Sequence, residues 1–394
     1  MALALFLLVR TTLRPSDRGV IKDHIEFGRR VVLGLDLYAT NPLDDKPLHP
    51  PYPPSFGLLT APFHGLALLH ERVARAGWGL LQLGSLFVIG LCLLRLVPDA
   101  RRTQVTLFVT ALLAARFVLR DTHGGGGNAI NLALALAAFA CAERGRPLLG
   151  GALLGFSLAT KPNLVLLVPL LLLFGHWRTA LAGLAAAAAC VATALLLLGQ
   201  GLAPFSQWLT GTWLYATQQD LFAPPAQGFP AFTWMNQALR CLIERVCRTT
   251  PDALAGEVPG FVQGFGLAAG TTAAIRALAA ASLLALTAGV AWRTRTAPAA
   301  RPWLLAATFA LTLLLSPISW KAHHVLLLPG LFLLVDARRW AFVLVFALFC
   351  LPGGDLLGDR LLAVQESSYL VTLATLGTLG TTLGLALCAA RAPR

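Results

Sequence analysis

Apolar runs near bilayer-spanning length recur along the 394-residue chain, each closed by a few polar or basic positions. They cover 77–97, 104–119, 127–142, 148–160, 163–175, 179–199, 270–292, 302–316, 324–335, 340–351 and 370–389, and several are short. The pattern predicts an all-α, polytopic membrane protein with about 11–12 membrane helices, some short or broken. Residues 1–9 form an apolar run too short to span a bilayer, read as a first helix cut short; it carries no basic leader or small-residue cleavage site, so a cleaved signal peptide is not expected. Lys161-Pro162-Asn163 splits the 148–175 region into two runs of about 13 residues, the form of a broken or re-entrant hairpin whose tip needs a protein cavity.

Composition excludes an ordinary soluble domain: 57% of residues are hydrophobic, 12% are charged and the mean hydropathy is +0.70. The net charge of +13 does not indicate nucleic acid, because much of the arginine falls in short loops between apolar runs. Arg95, Arg101 and Arg102, Arg144 and Arg146, Arg178, Arg293 to Arg301, Arg338 and Arg339, and Arg391 and Arg394 mark alternate loops, expected to be cytoplasmic. The outward set is then 10–70, 120–127, 161–163, 200–265, 316–324 and 352–369. A single integral domain over 1–394 is expected in the plasma membrane, multi-pass, with its active face extracytoplasmic; 10–70 is its first outward loop and 200–265 its long one. Segment 10–70 reads as an interfacial helix around 21–35, a Pro-rich coil at 42–54 and an apolar stretch from Phe56 to Leu69. The seven cysteines lack CxxC spacing, and only Cys241 and Cys247 are candidates for a disulfide. No internal repeat relates the two halves, which counts against transporter folds built by duplication.

The chemistry-bearing residues concentrate in the outward segments. Ser316-Pro-Ile-Ser-Trp-Lys-Ala-His-His324 places Lys321, His323 and His324 at a membrane edge, where ionisable groups are costly unless they face a polar cavity or a ligand. Together they could hold an anion; adjacent histidines lack the i, i+4 spacing of helical zinc pairs, so no metal is expected. Lys161 is one of four lysines in an arginine-rich chain and sits at another outward boundary, suited either to phosphate contact or to snorkelling. Asp23 offers a general base or a helix-start carboxylate, and Glu26, one turn on, is the reserve carboxylate. Tyr52 could stack on a substrate ring or anchor the interface. The glycines 124–127 before Asn128 form either a turn or a close-approach surface, without the ending of a P-loop. Trp208, Trp213, Tyr215 and Trp234 beside Asn236-Gln237 read as a sugar-binding surface or as an aromatic belt.

In their order and shared outward placement these residues resemble the GT-C glycosyltransferases of the DUF2029 group, glycosyltransferase family 87, which includes polyprenyl-phosphate-mannose-dependent α-1,2-mannosyltransferases. The likeness rests on Asp23, Gly34-x-x-Leu37-Tyr38, Tyr52-Pro53-Pro54, the turn ending in Asn128, Leu154-Gly155, Lys161-Pro162, Asn236-Gln237, and Ser316 to Trp320 with His323-His324. It departs at Gly126, where glutamine is expected, and at Ala238, where serine is expected. The resemblance implies a GT-C fold and a metal-independent, inverting transferase without a cofactor, moving a hexose or pentose, mannose favoured, from a polyprenyl-phosphate donor to a glycolipid or glycan acceptor. Asp23 would be the base; Lys161, Lys321, His323 and His324 would bind the donor phosphate; Tyr52, Asn128, Trp234, Asn236, Gln237 and Trp320 would contact substrate. The lipid tail would lie between helices, with membrane lipid the other partner. The rival readings are a transporter or flippase and a non-catalytic subunit of the same fold.

Overall fold

A computed structural model describes residues 19–38, 52–96, 100–223, 230–257, 261–352 and 373–393. These residues form helices and connections without strands. The short run at 1–9 and the coil at 42–51 lie outside them.

The helices are α1 (Ile21–Val32), α2 (Phe56–Leu69), α3 (Glu71–Leu96), α4 (Ala100–His123), α5 (Asn128–Glu143), α6 (Pro147–Thr160), α7 (Leu167–Leu173), α8 (Trp177–Leu198), α9 (Ala203–Thr217), α10 (Leu239–Cys247), α11 (Asp252–Ala255), α12 (Ala269–Thr294), α13 (Arg301–Leu315), α14 (Leu328–Asp336), α15 (Trp340–Cys350) and α16 (Leu373–Ala390). Short 3₁₀ segments cover Pro162–Leu164, Pro298–Ala300 and Lys321–Leu327. Most apolar runs of the sequence between 77 and 389 become helices close to their expected bounds, but 163–175 and 324–335 each begin as a 3₁₀ segment and are α-helical only over Leu167–Leu173 and Leu328–Asp336; helices α9 to α11 lie in the long segment 200–265, which the pattern predicts only as a loop. Among the described residues four helical stretches are long and apolar enough to cross a membrane, or five if the bent pair α4–α5 counts as one span. The others are shorter than single bilayer crossings, so the 11–12 expected membrane helices are not all full spans.

The chain divides into two compact units, 1–98 with 117–214, and 99–116 with 215–394. In the first, α1 packs on α2 and α2 on α3, around Ile21, Phe27, Val31, Phe56, Phe63 and Trp78. The interfacial helix expected near 21–35 is therefore a packed helix: its apolar stripe is covered by α2, and the charged Lys22 and Asp23 are exposed. Helices α6 and α8 approach through small residues. A Cβ on Gly151 would lie 2.4 Å from that of Ala182, and one on Gly155 would lie 2.5 Å from the Gly183 carbonyl oxygen. That spacing of two glycines one turn apart is the small-residue seam by which helices pack where no hydrophobic force distinguishes a neighbour from lipid. It accounts for Leu154-Gly155 in physical terms, since Leu154 of α6 is buried against Gly183.

In the second unit α13 is the central helix, buried continuously from Leu304 to Leu314 and packed on α16. Helix α12 buries only Thr272, Thr287 and Ala291, and its apolar surface suits lipid. Three interior hydroxyls of α16 are satisfied within the helix, Thr378, Thr381 and Thr382 donating to the carbonyls four residues back, while Thr375 donates to the Gln237 carbonyl at 2.8 Å. The part of segment 200–265 that lies in this unit is tied down by charge: the buried Glu244 carboxylate accepts from Arg248 at 2.8 Å and from Arg276 of α12 at 3.1 Å, while Arg248 also pairs with Asp220. Cys241 and Cys247 lie on one helix, α10, and both are free. Six residues of helix turn through about 600° and rise about 9 Å, so the two side chains diverge and no disulfide joins them.

Candidate functional site

In the first unit, Tyr52, Asn128 and Lys161 converge, although they are far apart in sequence. Lys161 stands at the break between α6 and the 3₁₀ turn Pro162–Leu164, where proline ends the helix by removing a donor. Its Nζ donates to Asn128 Oδ1 at 2.5 Å and lies 5.8 Å from the centroid of the Tyr52 ring. Burial pulls the Lys161 ammonium down to about 8, opposed by the nearby Asp121 carboxylate.

Two asparagines on the first turn of α5 organise this corner. Asn128 holds the lysine head, and Asn131, three residues on, holds the turn behind it. Asn131 Nδ2 donates to Asn163 Oδ1 at 2.9 Å and to the Lys161 carbonyl at 3.4 Å, while Ser157 donates to Asn131 Oδ1. The opposite wall is the Tyr52-Pro53-Pro54-Ser55 entry to α2, docked by Ser55 Oγ donating to the Ala159 carbonyl at 2.6 Å. The Tyr52 ring stacks on Phe56 with centroids 4.0 Å apart, and its hydroxyl lies 3.3 Å from His24 Nε2. Burial first, and then the Lys161 charge, hold the His24 imidazole down at about 3, so it is neutral at physiological pH.

Asp23, next to His24 on α1, is exposed. Burial first, and then the negative charges of Asp121 and Asp23, raise the pKa of the Tyr52 hydroxyl. Glu26 is differently employed: its oxygens accept from Arg29 Nε at 2.7 Å and from Arg30 Nε at 2.9 Å. Burial works against ionisation of Glu26, but these guanidinium bonds prevail and keep its carboxyl below the usual range.

In the second unit the polar residues are spent largely on backbone. Asn236 Oδ1 accepts from the Ser319 and Ala238 amides at 2.9 and 3.1 Å, and its Nδ2 donates to the Pro317 carbonyl at 2.9 Å. The Gln237 amide donates to the Ser319 carbonyl at 2.5 Å, its Nε2 to the Trp234 carbonyl at 3.1 Å, and both residues are buried. Asn236-Gln237 therefore clamps the loop Ser316 to Ser319. His323 Nδ1 accepts from the Trp320 amide at 2.7 Å and so caps the 3₁₀ segment Lys321–Leu327; His324 Nδ1 lies 3.1 Å from the Trp320 carbonyl and is buried. Burial holds the His324 imidazole down at about 4, against the Trp320 hydrogen bond. Trp320, Lys321 and His323 are half-buried. Trp234 is packed edge-on against Phe232 and Phe261 and donates Nε1 to the Leu254 carbonyl at 3.2 Å. Trp213, on α9, belongs to the first unit and is exposed. No group of three or more possible metal ligands occurs among the described residues.

Sequence reasoning passed over His24, Asp121, Asn131 and Asn163. One signal was available: Asn128-x-x-Asn131 puts two amides on one face of an otherwise apolar helix. Asp121 gave another, as a carboxylate just past the end of an apolar run and just ahead of the glycines.

The family model described as Glycosyltransferase family 87 matches residues 51–317. The matched stretch holds Tyr52, Asn128, Lys161, Asn236 and Gln237. Neither a curated protein nor a solved structure matches the chain significantly. With most of its length matched, the chain belongs to glycosyltransferase family 87, a family of membrane glycosyltransferases.

Proposed function

We propose that the protein transfers a sugar, with mannose favoured, from a polyprenyl-phosphate donor to a glycolipid or glycan acceptor at the extracytoplasmic face of the plasma membrane, with inversion and without a metal ion. The observation that carries this reading is the half-buried Lys161 ammonium, held by the Asn128 amide next to the Tyr52 ring. A fixed cation in a largely dry site is suited to a phosphate on which charge develops as it departs. Lipid-facing helices around that corner suit a donor with a polyprenyl tail.

In this scheme Asp23 accepts the proton of an acceptor hydroxyl, whose oxygen forms the new bond to the anomeric carbon. The bond from that carbon to the phosphate oxygen breaks on the opposite side, its electron pair leaves with the polyprenyl phosphate, and the anomeric configuration inverts. Lys161 stabilises the phosphate, and Tyr52 supplies an aromatic face beside it. Asn128 acts by aiming Lys161. Glu26 is set aside as base because two guanidinium groups occupy its oxygens. On the second unit, Lys321 and His323 are the half-buried groups proposed for anion contact, with Trp320 beside them, whereas Asn236, Gln237 and His324 shape the loop that carries them.

The test is incubation of membranes containing the protein with a panel of polyprenyl-phosphate sugars, followed by mass analysis of the lipid products. A hexose added from polyprenyl-phosphate mannose is expected. Transfer from a nucleotide sugar instead, or uptake of labelled substrate into proteoliposomes without any glycosylated product, would overturn the reading.

A further inference from the structure

The buried acid closest to this corner is not among the residues assigned a role. Asp121, at the end of α4, is fully buried and its carboxylate is bound on both oxygens. Oδ1 accepts from Asn128 Nδ2 at 2.7 Å and from the Asn128 amide at 3.4 Å, and Oδ2 accepts from the Ala129 amide at 3.0 Å. The first two backbone amides of α5 are thereby capped by a carboxylate from the preceding helix.

The consequence for Asn128 is directional. A side-chain amide has one accepting and one donating end, and an ionised carboxylate only accepts. Asp121 therefore draws the NH₂ of Asn128 toward itself and leaves Oδ1 facing Lys161 Nζ. Without the carboxylate the amide would be free to turn, and its NH₂ end would oppose an ammonium.

The glycine at 126 belongs to the same arrangement. A Cβ there would lie 2.1 Å from Asp121 Oδ1. The carboxylate fills the space into which a side chain at 126 would project, so the departure from the glutamine expected there and the presence of Asp121 are two sides of one steric fact. Gln82 of α3 secures the turn, donating to the Gly126 carbonyl at 2.5 Å.

We propose that Asp121 is a positioning residue which, through Asn128, holds the Lys161 ammonium in place for the donor phosphate. This rests on the assignment of Lys161 to phosphate made above. The groups that share the field of Lys161 are Asp121 from α4, His24 from α1 and Tyr52 from the entry to α2; of these, Asp121 is the one whose charge favours the ammonium.

The experiment uses the full-length protein in detergent and reads two quantities. The first is the pH midpoint of Lys161 acylation by an amine-reactive ester, followed by mass spectrometry, which is readily assigned in a chain with four lysines. The second is the KM for polyprenyl-phosphate mannose. Asp121→Asn is expected to lower the Lys161 midpoint by about one pH unit and to raise donor KM about tenfold with kcat changed less. Gly126→Ala, which forces the carboxylate aside, is expected to do the same and serves if Asp121→Asn is not recovered folded. Gln82→Met, which loosens the turn without altering charge, is expected to leave the midpoint in place. An unmoved midpoint in Asp121→Asn and Gly126→Ala, or an equal shift in Gln82→Met, overturns the proposal. If the midpoint moves but Lys161→Ala leaves donor KM unchanged, the positioning stands and the assignment of Lys161 to phosphate fails.

Discussion

Two lysines at membrane boundaries, Lys161 and Lys321, sit in neighbourhoods of similar composition and opposite use. Around Lys161 the amide side chains of Asn128, Asn131 and Asn163 reach toward one another and toward the lysine, across 30 or more residues of sequence. Around Lys321 the amides and imidazoles turn inward: Asn236, Gln237 and His323 satisfy main-chain groups of the loop and of the 3₁₀ segment. A polar cluster in an apolar protein is thus evidence of a ligand only after its hydrogen bonds have been assigned, because irregular backbone in such surroundings needs polar partners of its own.

The largest expected effect belongs to the first corner. Asp23→Asn keeps the exposed side chain's shape and removes its basicity, so transfer should fall by about 10²–10⁴-fold with the protein still folded in the membrane; product formation near wild-type rate would remove Asp23 from the reaction. Lys161→Ala is expected next, raising donor KM by roughly 10–100-fold, or about 1.4–2.7 kcal/mol, measured against donor concentration. In wild type the same KM should be flat at neutral pH and climb as pH rises through about 8, where the ammonium loses its proton. A pH-independent donor KM across that range would place the phosphate elsewhere.

The second region should answer differently. Asn236→Ala strips the Ser319 amide and the Pro317 carbonyl of a buried partner and should cost about 2–4 kcal/mol of stability, seen as a lower melting temperature in detergent. A variant with unchanged melting and a selective loss of sugar binding would make Asn236 a substrate contact and erase the contrast. The smallest change is expected for Glu26→Gln, which removes two partly exposed ion pairs within one helix, each worth roughly 1 kcal/mol or less, and should leave the transfer rate close to wild type. A loss as large as that of Asp23→Asn would exchange the roles of the two carboxylates.

Much of the fold was legible because the length and spacing of apolar runs state directly which segments cross or enter a membrane. The break at Lys161-Pro162-Asn163 was legible for a local reason, since proline removes a helical donor. What was not legible depended on neighbours. The α1 helix looks interfacial in isolation because its polar face is strongly charged, and only its packing against α2 shows where its apolar face goes. Cys241 and Cys247 look like a possible pair until α10 turns them apart. Within the corner, Tyr52, Asn128 and Lys161 could be picked out by residue type and placement, but Asp121 reads as one carboxylate at the end of an apolar run until Asn128 is folded back on it.

The sequence alone determined the membrane character, the helical class and the family to which the chain belongs, because these rest on periodicity, composition and motif order. Which amide holds which group and why position 126 is glycine were decided by tertiary structure, whereas the pairing of Glu26 with Arg29 and Arg30 is local to α1. Hydrogen-bond direction and steric exclusion depend on atoms that meet only after residues from five to more than a hundred positions apart have been packed together.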